Sequence, residues 1–318
     1  MRTNRDTLYA NGVGYPLFKG DRQNHTFLVQ SVKKDDVKGV DDCMSKLQHD
    51  IDRHNLHTII LSSEHFWPLD AFHVNHMINR LQEIFSEINI VVYLRHQRDL
   101  WVSLYAQQCK ELAVRSIGAR WGTTDYIGGD IAHHAIFYSR SLAPYRDLLG
   151  EKSLNVRIYD RFRFPSQDII KDFCLQCGVD ANLYPPFREQ LNDSLAWKSV
   201  EVSKIFADLY KDSIHWRQAA GIFRDACAMM HKVGCQDWIG SAPCYLPLDE
   251  QQELIYFYSA DNAILSSEYL NGDTLPLSPK ELAVSKHKLQ DISRDEMSRF
   301  LNYFTNASNG LGIPVTSF

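Results

Sequence analysis

The sequence predicts an α/β fold: a three-layer parallel sheet with crossover helices, followed by a mainly helical C-terminal part. Three observations carry this. Short apolar runs rich in β-branched residues stand at 57–63, 89–94 and 154–159. Amphipathic helical segments separate them, giving the strand–helix–strand order of a parallel sheet. From Ser194 to the C-terminus the apolar spacing is predominantly helical, broken at Gly234, around Pro243 to Pro247 and near Pro276 to Pro279.

The elements follow in chain order. Residues 1–11 read as a polar helix stopped at Asn11-Gly12, and Gly12 to Asp36 as loop. Val40 to Asn55 is helical, with Met44, Leu47 and Ile51 on one face. His57 to Ser63 is a buried strand. Pro68 to Ile88 is a helix whose apolar face runs from Leu69 to Phe85, with Pro68 in the first turn. Asn89 to Leu94 is the second strand, and Asp99 to Ser116 and Asp130 to Leu149 are helices. Leu154 to Tyr159 is the third strand, and Ser166 to Cys177 is an amphipathic helix closed by Gly178. No repeat or linker divides the chain. One domain over 1–318 is expected, with a sheet-containing core at 1–180 and a helical elaboration at 181–318.

Composition bounds the partners. With 34 Lys and Arg against 39 Asp and Glu, the net charge is −5, which argues against nucleic acid or an anionic membrane surface. No apolar run reaches the length of a membrane span. No secretory leader follows Met1, and the seven cysteines are odd in number without secreted-domain spacing, so a cytoplasmic location is expected.

The segment with chemical content is Val91-Val92-Tyr93-Leu94-Arg95, followed eight residues later by Ser103. Ligands of open parallel sheets sit beyond the carboxyl ends of the strands. Arg95 stands at such an end, and its planar, permanently charged guanidinium suits a phosphate. Ser103, about two helical turns on, offers a hydroxyl to the same anion if the loop folds back. The bland alternative is a solvated arginine and an incidental helical serine.

Leu94 to Tyr105 resembles the 3′-phosphate-binding segment of sulfotransferases, in which a strand runs into Arg and a Ser follows eight residues later. Tyr159-Asp160-Arg161, Asp168 to Gly178, Asn192-Asp193-Ser194, Asp261-Asn262 and Tyr269 to Gly272 resemble further parts of bacterial, carbohydrate-type members. The resemblance implies a P-loop-type nucleotide-binding sheet. It also implies 3′-phosphoadenosine 5′-phosphosulfate (PAPS) as sulfuryl donor, a glycan hydroxyl as acceptor and no metal. Arg95 and Ser103 would hold the donor's 3′-phosphate. Glu64, at the exit of the strand ending Leu61-Ser62-Ser63, would be the base, with His65 the runner-up; a first-turn carboxylate favoured by the helix dipole is the equal alternative for Glu64.

One part of that pattern is absent. The family's first strand and its Pro-Lys-(Ser/Thr)-Gly-Thr-Thr loop, which cradles the phosphosulfate, have no counterpart. Gly12 to Pro16 looks like the exit of the helix that would follow. The expectation is therefore a truncated sulfotransferase, with a non-catalytic nucleotide-binding or scaffold remnant as the rival. A nucleotide-dependent kinase is disfavoured because no phosphate loop or Mg²⁺-ligand pattern is found.

Other signals read as structural. Cys174-Leu175-Gln176-Cys177 lies late in an amphipathic helix and favours buried thiols over a metal site. His133-His134 is more simply solvated or structural than metal-binding. Trp197, Phe206, Tyr210 and Trp216 favour core packing over a sugar platform.

Overall fold

A computed structural model describes residues 5–20, 24–67, 69–112, 136–183, 195–210, 213–240, 248–277 and 288–313. The chain forms two compact units. One gathers residues 1–95, 129–187 and 258–276, and the other 96–128, 188–257 and 277–318.

In the first unit, helix α1 (Arg5–Ala10) leads into strand β1 (Val13–Gly14), and α2 (Thr26–Lys33) and α3 (Val37–His54) follow. Asp36 starts α3 by accepting the N–H of Gly39, and Asn55 stops it in the left-handed region at φ 49°. Val40, Met44 and Leu47 recur at helical spacing and are buried. After β2 (Thr58–Ile59) comes α4 (Ala71–Gln82), capped by Asp70 on the N–H of His73. Its buried stripe is Val74, Met77, Ile78 and Leu81. These stripes share one apolar cluster with Leu28, Val29 and Val32 of α2.

Strand β3 (Ile90–Leu94) pairs in parallel with β4 (Leu154–Ile158), in the register Ile90↔Leu154 to Leu94↔Ile158. Strands β1 and β2 form a separate parallel pair, Val13↔Thr58 and Gly14↔Ile59. Gly14 leaves room for its neighbours. A Cβ on Gly14 would collide with the side chains of Ile59 and Leu56.

The second unit is helical: α5 (Gln97–Lys110), α8 (Trp197–Tyr210), α9 (Trp216–Lys232), α10 (Leu248–Phe257) and α12 (Arg294–Gly310). Helices α6 (Tyr138–Leu149), α7 (Ile169–Gln176) and α11 (Ser259–Tyr269) belong to the first unit. The core of the second unit is aromatic. The ring of Phe206 lies 4.5 Å from Phe304, 5.6 Å from Phe300 and 5.8 Å from Phe223. Trp238 stacks on Phe300 at 5.0 Å.

This architecture overturns the three-layer sheet and, with it, the P-loop-type fold and the sulfotransferase resemblance. The described residues are predominantly helical, and their named strands form two small two-stranded sheets. The physical reason is visible at β2. The run 57–63 is apolar enough for a long strand, but only Thr58–Ile59 ladders. Three residues after Ile59 the backbone of Ser62 turns to a side chain: its N–H lies 2.7 Å from Nδ1 of His25 and its carbonyl accepts the N–H of His25 at 2.9 Å. Nε2 of the same imidazole lies 2.7 Å from the carbonyl of Pro16, so it donates there. A fully buried histidine thus ties the exits of β1 and β2 where a longer ladder was expected.

Sulfuryl transfer, PAPS as donor and a glycan acceptor were implied by that fold and fall with it; so does the nucleotide-binding remnant. The stretch from Gly12 to Asp36 is also corrected, because it holds β1 and α2 rather than loop alone. The expected strands at 89–94 and 154–159 are present as β3 and β4, and the amphipathic segments around them are α4, α5, α6 and α7. Among the described residues, no helix is long and apolar enough to cross a membrane.

Candidate functional site

The side chains of β3 and β4 alternate between two faces, so Tyr93 and Arg95 share one face and Arg157 and Tyr159 share the same one. The lower rung is Tyr93 beside Arg157, which are register partners. Asp172 of α7, fully buried, closes it. Arg157 donates from Nε at 3.2 Å and from Nη2 at 2.6 Å, and the Tyr93 hydroxyl donates at 2.7 Å. Burial, and then the hydrogen bond to Asp172, push the Tyr93 phenol above its ordinary value, so it remains a donor.

The upper rung is Arg95 beside Tyr159, and it is built differently. The guanidinium lies 4.9 Å from the centre of the Tyr159 ring. No carboxylate among the described residues pairs with Arg95, which is half-buried. Phe164 holds both rungs from the side, edge-on to Tyr93 at 5.7 Å and to Tyr159 at 5.8 Å. Among the described residues, one arginine of the face is therefore neutralised within the fold and the next has no carboxylate partner.

Helix α6 fixes the edge. Tyr138 donates its hydroxyl to the carbonyl of Arg95 at 2.9 Å, and Tyr145, two turns on, donates to the carbonyl of Phe66 at 2.9 Å. Burial pushes both phenols upward, which keeps them protonated as donors. The adjacent stripe of α6 binds α11 with the same seven-residue spacing. Ser139 gives its N–H and hydroxyl to Asp261, and Arg146 pairs with Glu268.

Glu64 and His65 lie in a short 3₁₀ turn, Glu64–Phe66, entered through Ser63. The Glu64 side chain is 84% exposed, and its carboxylate lies 4.0 Å from Nε2 of His65. This exposure gives the sequence's candidate base no enclosed partner. The turn is nonetheless linked to the Arg95 edge, because Trp67 packs edge-on against Tyr138 at 5.7 Å. Ser103 stands on α5 of the second unit, whereas Arg95 belongs to the first. Asn192-Asp193-Ser194 and His133-His134 lie outside the described residues.

His96 follows Arg95 and caps α5. Its Nδ1 accepts the N–H of Arg98 at 3.2 Å, which requires an unprotonated Nδ1. Burial lowers the His96 pKa, opposed by Asp99 and aided by Arg98. A histidine whose folded pKa lies below its unfolded value binds fewer protons when folded. Its contribution is present above the unfolded value of about 6.5 and is lost as pH falls through the folded value. Urea titrations between about pH 7.5 and 5 should show the wild type losing stability over that window. His96→Asn, which keeps a capping acceptor, should flatten that dependence.

The remaining signals are structural. Cys174 is buried, and burial pushes the Cys177 thiol up to about 11, far from a reactive thiolate. Phe206 and Tyr210 are core residues, with Trp197 and Trp216 packed against them. Among the described residues, no three His, Cys, Asp or Glu side chains are grouped to hold a metal ion. The residues that sequence reasoning missed are Tyr138, Arg157 and Phe164; the period-two spacing of Arg157 and Tyr159 against Tyr93 and Arg95 was the available signal.

Comparison with known proteins adds no relative: no family model, no curated protein and no solved structure matches the chain.

Proposed function

We propose that the chain binds a small oxyanion, a phosphate- or carboxylate-bearing molecule, at Arg95. The observation that carries the reading is the contrast between the two rungs. Arg157 has a buried carboxylate, whereas Arg95, at the carboxyl end of β3, is half-buried, set over Tyr159 and without a carboxylate partner among the described residues. A guanidinium pre-set on an aromatic ring and partly shielded from water loses little freedom when it meets an anion. Its fork matches a phosphate or carboxylate in two-point contact. The fixed carbonyl of Arg95 holds the base of the side chain in place. The reading is one of binding, not turnover, and Ser103 has no part in it.

Calorimetry with inorganic phosphate tests it. A charge-assisted contact contributes about 1.5–3 kcal/mol, so Arg95→Ala should weaken binding by roughly 10- to 100-fold. Arg95→Lys should recover only part, because the fork is lost. Arg140 is the control: it is exposed and lies 4.5 Å from the Phe137 ring centre. Equal losses from Arg95→Ala and Arg140→Ala, or none from Arg95→Ala, would remove the assignment.

A further inference from the structure

Strand β3 is an interior strand by composition and an edge strand by position. Ile90, Val91, Val92, Tyr93 and Leu94 are apolar or aromatic on both faces, the pattern of a strand covered on both sides and laddered on both edges. Among the described residues β3 ladders to β4 alone, and Ile90 to Tyr93 are only half-buried. Strand β4 has the composition of an edge, with polar Asn155 and Arg157 alternating along one face.

The direction of the backbone groups follows from the pleat. Tyr159 donates its N–H to the carbonyl of Leu94 at 2.6 Å, so Leu94 aims at β4. By alternation Val92 and Ile90 do too, and Val91 and Tyr93 aim their N–H and C=O groups outward. The next outward carbonyl, that of Arg95, is taken by the Tyr138 hydroxyl. Among the described residues, no hydrogen bond is found to the outward N–H or C=O of Val91 or Tyr93. The outward groups of β4 are partly used within the chain: the Leu154 N–H goes to the carbonyl of Glu151, and the Ile158 carbonyl accepts the N–H of Asp160.

We infer that the outer edge of β3 is a docking site for an extended, apolar polypeptide strand supplied by a partner, which ladders to Val91 and Tyr93. Donors and acceptors repeating every second residue along an extended chain are matched by the backbone of another extended chain. The partner strand is apolar because the residues it would lie beside, Ile90, Val91 and Val92, are apolar; a charge there would be desolvated without a partner. The site is independent of Arg95, since it uses main-chain groups of other residues.

The probe is a synthetic seven-residue peptide with five central Val and Ile residues and a Lys at each end. Its control is the same peptide N-methylated at alternate residues, which cannot ladder on that side. Amide exchange is followed residue by residue by NMR. The unmethylated peptide should slow exchange at Val91 and Tyr93 by roughly tenfold or more, and the methylated one should not. Val91→Pro removes an outward N–H without touching the ladder to β4, so it should keep the thermal midpoint and lose the protection. Equal protection by both peptides, or none by either, would overturn the proposal, and the peptide comparison decides even if Val91→Pro fails to fold. Protection at Val91 and Tyr93 that grows with protein concentration without peptide would also overturn it, because a second copy would then be the occupant.

Discussion

Replacing Arg157 with Met should destabilise the protein by about 3–5 kcal/mol, more than replacing its partner Asp172 with Asn. The asymmetry comes from burial. The Asp172 side chain is 0% exposed and that of Arg157 is 32% exposed. Deleting the arginine leaves a buried carboxylate with the Tyr93 hydroxyl as its remaining donor of the three. Deleting the charge of Asp172 leaves an arginine that can swing to water, at a cost of about 1–3 kcal/mol. Chemical denaturation of both single variants and of Arg157→Met/Asp172→Asn checks this. The double variant should be more stable than Arg157→Met alone, because the orphaned charge is gone. If Asp172→Asn proved the costlier single change, the carboxylate would not be the buried partner that the geometry describes.

The same test bears on Arg95. Tyr93 and Arg157 form the rung directly beneath Arg95 and Tyr159, and Phe164 touches both tyrosines. Loosening the lower rung should therefore loosen the seat of the upper one, so phosphate binding should weaken in Arg157→Met although Arg157 is not the ligand's partner. A positioning role predicts recovery of binding along with stability in the double variant.

Local features were legible where local physics decides. The β-branched run of β3, the Asp caps of α3 and α4 and the stripe of Val74, Met77, Ile78 and Leu81 each follow from neighbours in sequence. The sheet was not legible, because strand pairing joins distant residues. Strands β1 and β2 amount to two residues each, with the side-chain ends of Ile59 and Leu56 against the bare backbone of Gly14 and the imidazole of His25 at their exits. No periodicity announces a histidine that replaces a ladder. The spacing from Arg95 to Ser103 misled for a related reason. An arginine at a strand end and a serine in the next helix arise at any strand–helix junction, and only the surrounding sheet would give them a shared ligand. What remained readable was the placement of Arg95 at a strand end. What it lacked was Tyr159, which becomes its neighbour only once β4 is in register.

In the second unit, Phe206→Ala should cost about 3–5 kcal/mol, the upper range for removing a buried aromatic ring. Phe206 is 1% exposed and its ring meets those of Tyr210, Phe223, Phe300 and Phe304, so one truncation withdraws a partner from helices α8, α9 and α12 together. Large rings around a large hole cannot collapse into it without leaving their rotamers, which places the cost at the cavity-dominated end. Phe206→Leu keeps most of the volume and should cost less than half as much. Hydrogen exchange should locate the effect, with amides of Trp197–Tyr210, Trp216–Lys232 and Arg294–Gly310 accelerating together. Acceleration confined to Trp197–Tyr210 would mean that the three helices do not share one core. Concerted acceleration would make the aromatic cluster the common support of that unit.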